Sequence, residues 1–196
     1  MQMGYKTRLA EMHSLTSSRL YNKVIMSTAP SGLACDYHTL NRNMYLANGY
    51  GVVADRVTKA ISSLLQFRWD VSQLSFLGLR GLFDPRGHGL IRQKFHWCSA
   101  CWRDDAESGL TPYLRLIWYS RAIDVCVVHE CFLEQPCPHC GGHQNAHPNL
   151  PFIYVCQSCG NDLYDKHVCV EAHPSRHERA YWDARSLMRL IERMGS

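Results

Sequence analysis

Four pairs of soft metal ligands follow one another between Cys98 and Cys159. Cys98 with Cys101 is the first, Cys126 with His129 the second, Cys137 with Cys140 the third and Cys156 with Cys159 the last. Ligands two residues apart suit a tight turn around a metal ion, whereas structural disulfides usually join more distant residues. The first two pairs together offer three thiolates and one imidazole, a closed tetrahedral shell for zinc. The last two, with fifteen residues between Cys140 and Cys156, offer four thiolates at zinc-ribbon spacing. Two structural zinc ions per chain are therefore expected.

Other readings of these residues fit less well. A C-x2-C pair can be a redox motif, but thioredoxin-like chemistry needs one pair in a βαβ setting. Pro136-Cys137-Pro138-His139-Cys140 matches half of the zinc deaminase signature. The other half requires Glu two residues after a His ligand, and here Glu130 follows His129 directly. A catalytic zinc also keeps an open position, while these ligands come in complete fours. The sequence thus points away from an enzyme. Spare ligands remain in Cys131, Cys169, His139, His143, His147, His167 and His173, of which Cys131 is the first substitute to consider because it lies two residues past His129. Cys35 reads as a small buried apolar residue.

The elements that must position these ligands are mostly helical before them. Leu9 and Met12 give the stretch from Gly4 to His13 a short apolar face. Thr16-Ser17-Ser18 supplies N-cap candidates for a second helix through Leu20, Val24 and Ile25, a helix-turn-helix arrangement. Ser27 to Cys35 reads as a loop. An amphipathic helix is predicted from Val52 to about Leu65, with Val53, Val57, Ala60, Ile61, Leu64 and Leu65 on one side. Asp70 is placed to cap a short helix through Leu74 and Leu77, and Asp84 to Gly89 reads as a turn-rich linker. Short strands are expected between the ligand pairs: Leu114 to Tyr119, with Leu114, Leu116 and Trp118 on one face, and Phe152 to Val155. Pro174 and Ser175 are placed to start a last helix whose stripe is Tyr181, Ala184, Leu187, Met188, Ile191 and Met194. Arg179, Arg185, Arg189 and Arg193 fall on its other face, as a solvated surface or a binding one.

The predicted class is α with small β: a helical helix-turn-helix region over 1–90, zinc-binding modules over 91–135 and 136–168, and a C-terminal helix over 169–196. Composition agrees with a globular chain, at 46% hydrophobic and 19% charged residues. The longest apolar candidate, Leu74 to Leu82, is broken by Ser75, Gly78 and Arg80, and no secretory signal layout opens the chain. A cytoplasmic protein is expected. The formal charge of +4 overstates basicity. Seven ligand thiolates add seven negative charges and two zinc ions return four positive ones, leaving about +1. Nucleic-acid contact must then come from local patches.

Taken together, the motifs resemble the TniQ family of transposition proteins. The similarity runs through His96-Trp97-Cys98-Ser99-Ala100-Cys101, the pair Asp104-Asp105, and Pro112-Tyr113-Leu114-Arg115-Leu116-Ile117-Trp118. It continues in Val125-Cys126-Val127-Val128-His129-Glu130-Cys131-Phe132-Leu133 and Cys137-Pro138-His139-Cys140-Gly141. Arg8-Leu9-Ala10-Glu11 followed by Leu15-Thr16 is similar to the family's opening helix-turn-helix. Two departures stand out: the family's Pro-containing lead-in and Glu-Ser pair are missing, and its usual C-P-x-H-G is here Cys126-Val127-Val128-His129-Glu130.

The resemblance implies a non-enzymatic adaptor that links a target-site selector to an AAA+ ATPase of the TnsC or TniB type. Longer TnsD-like relatives carry extra DNA-binding domains. Only 37 residues follow Cys159, so the small form is expected, which in some systems relies on a CRISPR effector and pairs as a homodimer through its helix-turn-helix. Target DNA is a further expected partner. Tyr113, Arg115, Trp118 and Arg121 are interface candidates under this reading, and core and surface residues of a strand under the plainer one. The alternative function is a stand-alone zinc-ribbon and helix-turn-helix DNA-binding regulator.

Overall fold

Apolar residues at helical spacing begin the core. The computed structural model of the chain describes residues 9–10, 12–15, 17–20, 44–64, 71–82, 88–145, 152–165 and 170–194. Helix α1 is a single turn, Ser17–Leu20, and α2 runs Val52–Leu64. Ala54, Val57, Ala60 and Ile61 bury one stripe of α2, at the spacing a 3.6-residue period requires. Asp55 sits in its first turn, where a carboxylate complements the helix dipole, and pairs with Lys59 one turn on at 2.9 Å. The buried stripe packs against two 3-10 turns, Met44–Asn48 and Val71–Leu74.

Between Val71 and Leu79 the predicted short helix is instead two 3-10 turns, Val71–Leu74 and Phe76–Leu79. Ser75 divides them: its hydroxyl accepts from the Leu77 N–H at 3.4 Å and starts the second turn. Asp70, its expected cap, lies outside the described residues, as do Leu65, Cys35 and the bulk of the segment expected to form a helix-turn-helix. Within that segment Ala10 and Leu20 are buried, whereas Met12 is exposed.

The expected strand from Leu114 to Tyr119 does not form. The chain is extended to Arg115 and then winds into a 3-10 turn, Leu116–Tyr119. Trp118 N–H donates to Arg115 C=O and Ser120 N–H to Ile117 C=O within the turn, and its end pairs outward, Tyr119 C=O accepting from Arg92 N–H at the Ile91–Ser120 bridge. Alternation still reads correctly at Leu114, Leu116 and Trp118, which are all buried, but Tyr119 is buried too. Similarly, the stretch from Phe152 to Val155 is turn and a single bridge, Val155 to Asp162.

Helix α3, Ser99–Glu107, lies inside the ligand region, where strands alone were expected. Strands β1, Val125–Cys126, and β2, Cys131–Phe132, pair antiparallel with Val125 opposite Phe132 and Cys126 opposite Cys131. Residues 170–172 lie along β2: Phe132 N–H donates to Val170 C=O, and Ala172 N–H to Glu130 C=O. Helix α4, Glu178–Met194, follows a turn at 174–177. Its Tyr181 and Ala184 are buried and Leu187 and Ile191 half-buried against the core, where the helix meets β1, the Leu116–Tyr119 turn and the Phe76–Leu79 turn; Met188 is half-buried. Arg179, Arg185, Arg189 and Arg193 are all exposed.

The described buried apolar residues form one connected core, from Ala10 to Ala184. Its aromatic centre is Phe95, Trp97, Trp102, Trp118 and Tyr119. No helix among the described residues is long and apolar enough to cross a membrane.

Candidate metal centres

The structure gathers the eight paired ligands into two groups of four. Cys98, Cys101, Cys126 and His129 place their donor atoms within 4.8 Å of one another, and so do Cys137, Cys140, Cys156 and Cys159.

In the first group Cys98 ends the extended chain at α3 and serves as its N-cap, with Sγ accepting from the Cys101 N–H at 3.5 Å. Trp97 fixes the approach by exchanging backbone hydrogen bonds with Glu134, 3.1 and 2.7 Å long. The Glu134 carboxylate accepts from the Ser99 N–H at 3.2 Å, satisfying one of the open donors at the helix start. The β1–β2 hairpin brings the other two ligands. Cys101 and Cys126 sulfurs lie 3.6 Å apart, and His129 Nδ1 lies 3.3 Å from Cys101, 3.6 Å from Cys98 and 3.8 Å from Cys126. On the other side of the ring Nε2 is 2.9 Å from the Asp104 carboxylate. A carboxylate only accepts, so Nε2 carries a proton, and in the neutral ring the Nδ1 lone pair faces the sulfurs. This is the carboxylate–histidine arrangement that orients metal-bound imidazoles.

The second group is built from two copies of one turn. Cys137 N–H donates to Gly142 C=O and Gly141 N–H to Cys137 C=O, both at 2.9 Å. Correspondingly, Cys156 N–H donates to Asn161 C=O at 2.8 Å and Gly160 N–H to Cys156 C=O at 3.0 Å. In each copy the first sulfur accepts a backbone N–H two residues on, from His139 and from Ser158, at 3.4 Å. Gly141 and Gly160 adopt φ of 71° and 75°, a conformation open to glycine and costly for other residues. The turns face each other with Cys137 and Cys159 sulfurs 3.8 Å apart and Cys140 and Cys156 sulfurs 3.7 Å apart. Buried Gln144 spans the join, donating to Cys156 Sγ at 3.4 Å and accepting from Gln157 N–H at 2.9 Å. Gly142 allows the close approach, since a Cβ there would meet Ser158 Oγ at 3.0 Å and Cys140 Sγ at 3.3 Å.

These distances fit zinc. Tetrahedral Zn–S bonds of about 2.3 Å set sulfurs roughly 3.8 Å apart, against about 2.05 Å in a disulfide. None of the eight described cysteines forms a disulfide. The electrostatics also call for a cation. In the first group, hydrogen bonds from the neighbouring thiols, Cys101 first, hold Cys126 far down, while sharing with Cys126 and Cys98 drives Cys101 far up. In the second, burial pushes Cys137 up to about 12, while Cys156, where burial acts against the backbone N–H groups of Cys159 and Ser158, comes down to about 6. Thiols packed this closely compete for negative charge, and a divalent ion removes the competition.

Of the spare ligands, His139, His143 and His173 stay outside both groups, and His147, His167 and Cys169 lie outside the described residues. Cys131 is fully buried beside the first group, its sulfur 3.6 Å from that of Cys98. Asp104 carries no ligand-pair spacing and is missed by sequence reasoning; its signal is its helical position three residues after Cys101. The expected interface residues need correction. Trp118 is buried, and Arg115 is turned inward, bonded to both Asp105 oxygens at 2.7 and 2.9 Å and stacked over Tyr113 and Trp118. Arg121 alone of the four is exposed, with Tyr113 half-buried.

The TniQ family model matches residues 2–133, about two thirds of the chain, and takes in the whole of the first group. The chain belongs to the TniQ family. TniQ proteins serve transposition as adaptors rather than as catalysts, and this chain takes that transposition-associated role in its general form. The matched region ends at Leu133, before Cys137, so the second group lies on the C-terminal side of the match. No curated protein matches the chain.

Proposed function

We propose that the chain is a non-enzymatic transposition adaptor that couples target-site selection to an AAA+ ATPase of the TnsC or TniB type. The observation that carries this reading is the family match over 2–133. In it, Cys98, Cys101, Cys126 and His129 hold one zinc ion, and Cys137, Cys140, Cys156 and Cys159 a second. Each ion fixes a segment with too little regular structure to hold its own shape: β1 and β2 have two residues each, and the second group's turns have only isolated bridges among the described residues. The helix-turn-helix expected over residues 4–25 serves as the pairing surface of a homodimer. The partition into a helical region over 1–90, modules over 91–135 and 136–168 and a terminal helix over 169–196 is the working division for truncations. Targeting comes from a CRISPR effector complex or from attachment-site DNA.

A second reading, a DNA-binding regulator acting alone, draws support from α4. Its exposed side carries Arg179, Arg185, Arg189 and Arg193 around Trp182, which is 68% exposed. Arginines with an aromatic among them suit a phosphate backbone and a base.

Affinity capture of the tagged chain from cells carrying its transposon, followed by mass spectrometry, separates the two. The adaptor reading expects an AAA+ ATPase, with or without a CRISPR effector subunit. Recovery of DNA with no protein partner contradicts it and leaves the solitary regulator.

A further inference from the structure

Cys131 occupies a position that a merely buried thiol does not need. It stands directly opposite Cys126 across the β1–β2 pair, and residues so opposed project to the same face of the hairpin. That face looks onto the first ligand group. The Cys131 sulfur is 3.6 Å from Cys98 Sγ, the same spacing that separates Cys101 from Cys126 within the group, and it interacts with the Cys126 thiol as well. Cys131 has no exposed surface, whereas the His129 side chain keeps 22% of its own and leans on an Asp104 carboxylate that is 60% exposed. His129 also sits on the turn of the hairpin, where Glu130 follows in a left-handed conformation, φ 50°. A fifth donor thus stands beside a group that takes four, next to Cys98 and Cys126. The outermost of the four, His129, is held by one solvent-facing hydrogen bond.

We infer that Cys131 is an interchangeable fourth ligand of the first group, able to take the place of His129, and that Asp104 sets the balance in favour of the histidine. This rests on the zinc reading of that group. In the exchange the bond from His129 Nδ1 to the ion breaks and a bond from Cys131 Sγ forms. The thiol proton passes to water on the open, His129 side, and the shell changes from three sulfurs and one nitrogen to four sulfurs. Retention of the ion does not then depend on the most exposed ligand. The group becomes tolerant of movement in the 127–130 turn, as would follow a partner pressing on it.

Cadmium NMR on the full chain loaded with the spin-half isotope tests this, because each site gives its own resonance and that resonance moves downfield when sulfur replaces nitrogen. Wild type should show one resonance typical of three sulfurs with one nitrogen and one typical of four sulfurs. His129→Ala should keep two resonances, both in the four-sulfur range, and His129→Ala combined with Cys131→Ala should keep only one. Asp104→Ala, which leaves every ligand in place at an exposed position, should move or split the first resonance toward the four-sulfur range. A His129→Ala chain with a single resonance overturns the inference, as does an Asp104→Ala spectrum identical to wild type. Absence of the first resonance from wild type would instead refute the metal reading itself.

Discussion

The indole rings of Trp97 and Trp102 stack 5.7 Å apart and 3° from parallel, one just before Cys98 and the other just after Cys101. The first ligand pair is therefore flanked in sequence by two fully buried rings that stack on each other within the core. Trp102 also donates its Nε1–H to Tyr113 C=O at 2.9 Å and meets Trp118 edge-on. The three sulfur donors of the first group, Cys98, Cys101 and Cys126, are built into the core, whereas Cys140 and Cys159 of the second group are exposed.

Trp102→Ala should cost about 3–5 kcal/mol, the usual penalty for deleting a large buried aromatic. Urea denaturation of the zinc-loaded chain measures it. Because α3 carries Cys101 and Asp104, the variant should also release its first metal at lower chelator concentration. A loss under about 1 kcal/mol would mean that the ion, and not the aromatic core, holds this region.

Arg115 and Asp105 form a bidentate pair in which Asp105 is 8% exposed and Arg115 23%. Arg115 also donates to the Tyr113 and Cys101 carbonyls, so its planar fork satisfies three acceptor groups. Lysine keeps the charge but not the fork. Arg115→Lys and Asp105→Asn should each destabilise by roughly 2–4 kcal/mol, and the double variant by less than their sum. Additive losses in a double-mutant cycle would show that the pair is not coupled.

Glu130 stands where the family's C-P-x-H-G has glycine, and it adopts the same positive φ as Gly141 and Gly160 at the corresponding positions of the second group. A non-glycine residue there costs about 1–2 kcal/mol, against about 0.5–1 kcal/mol of unfolded-chain entropy that glycine adds. Glu130→Gly should then stabilise the chain by about 0.5–1 kcal/mol, while Gly160→Ala should destabilise it by a similar or larger amount. Thermal melts of the two variants read the opposite signs; melting shifts of the same sign would contradict the conformational account.

Much of this architecture is legible in the sequence, and the reasons for the exceptions are physical. Ligand spacing predicts both groups because a metal knuckle is local: two ligands three positions apart on one turn, followed in the second group by a glycine. Helix α2 and the buried stripe of α4 follow from periodicity, which reports burial directly. Alternation at Leu114, Leu116 and Trp118 reports burial as well, but it does not report strand pairing: the backbone closes into a 3-10 turn and pairs outward at the isolated Ile91–Ser120 bridge. Arg115 reads as a surface residue by type, and only the tertiary position of Asp105 turns it inward. The role of Asp104 is hidden for the same reason, since its partner His129 is 25 residues away.

Cys156→Ser should remove one zinc and unfold the turns of the second group while leaving the first group and the aromatic core in place. Heteronuclear NMR of the variant should lose the dispersed amides of residues 137–145 and 152–163 and keep that of Trp102 Nε1–H. Global unfolding would show that the second group supports the core, contrary to the exposure of Cys140 and Cys159.

Native mass spectrometry of the chain purified without added metal and without chelator tests the central claim most directly. The expected mass is that of the polypeptide plus two zinc ions, with two protons displaced by each divalent ion. A metal-free mass, or one lowered by two hydrogens for each disulfide formed, would contradict the assignment of Cys98, Cys101, Cys126, His129, Cys137, Cys140, Cys156 and Cys159 as two structural zinc sites.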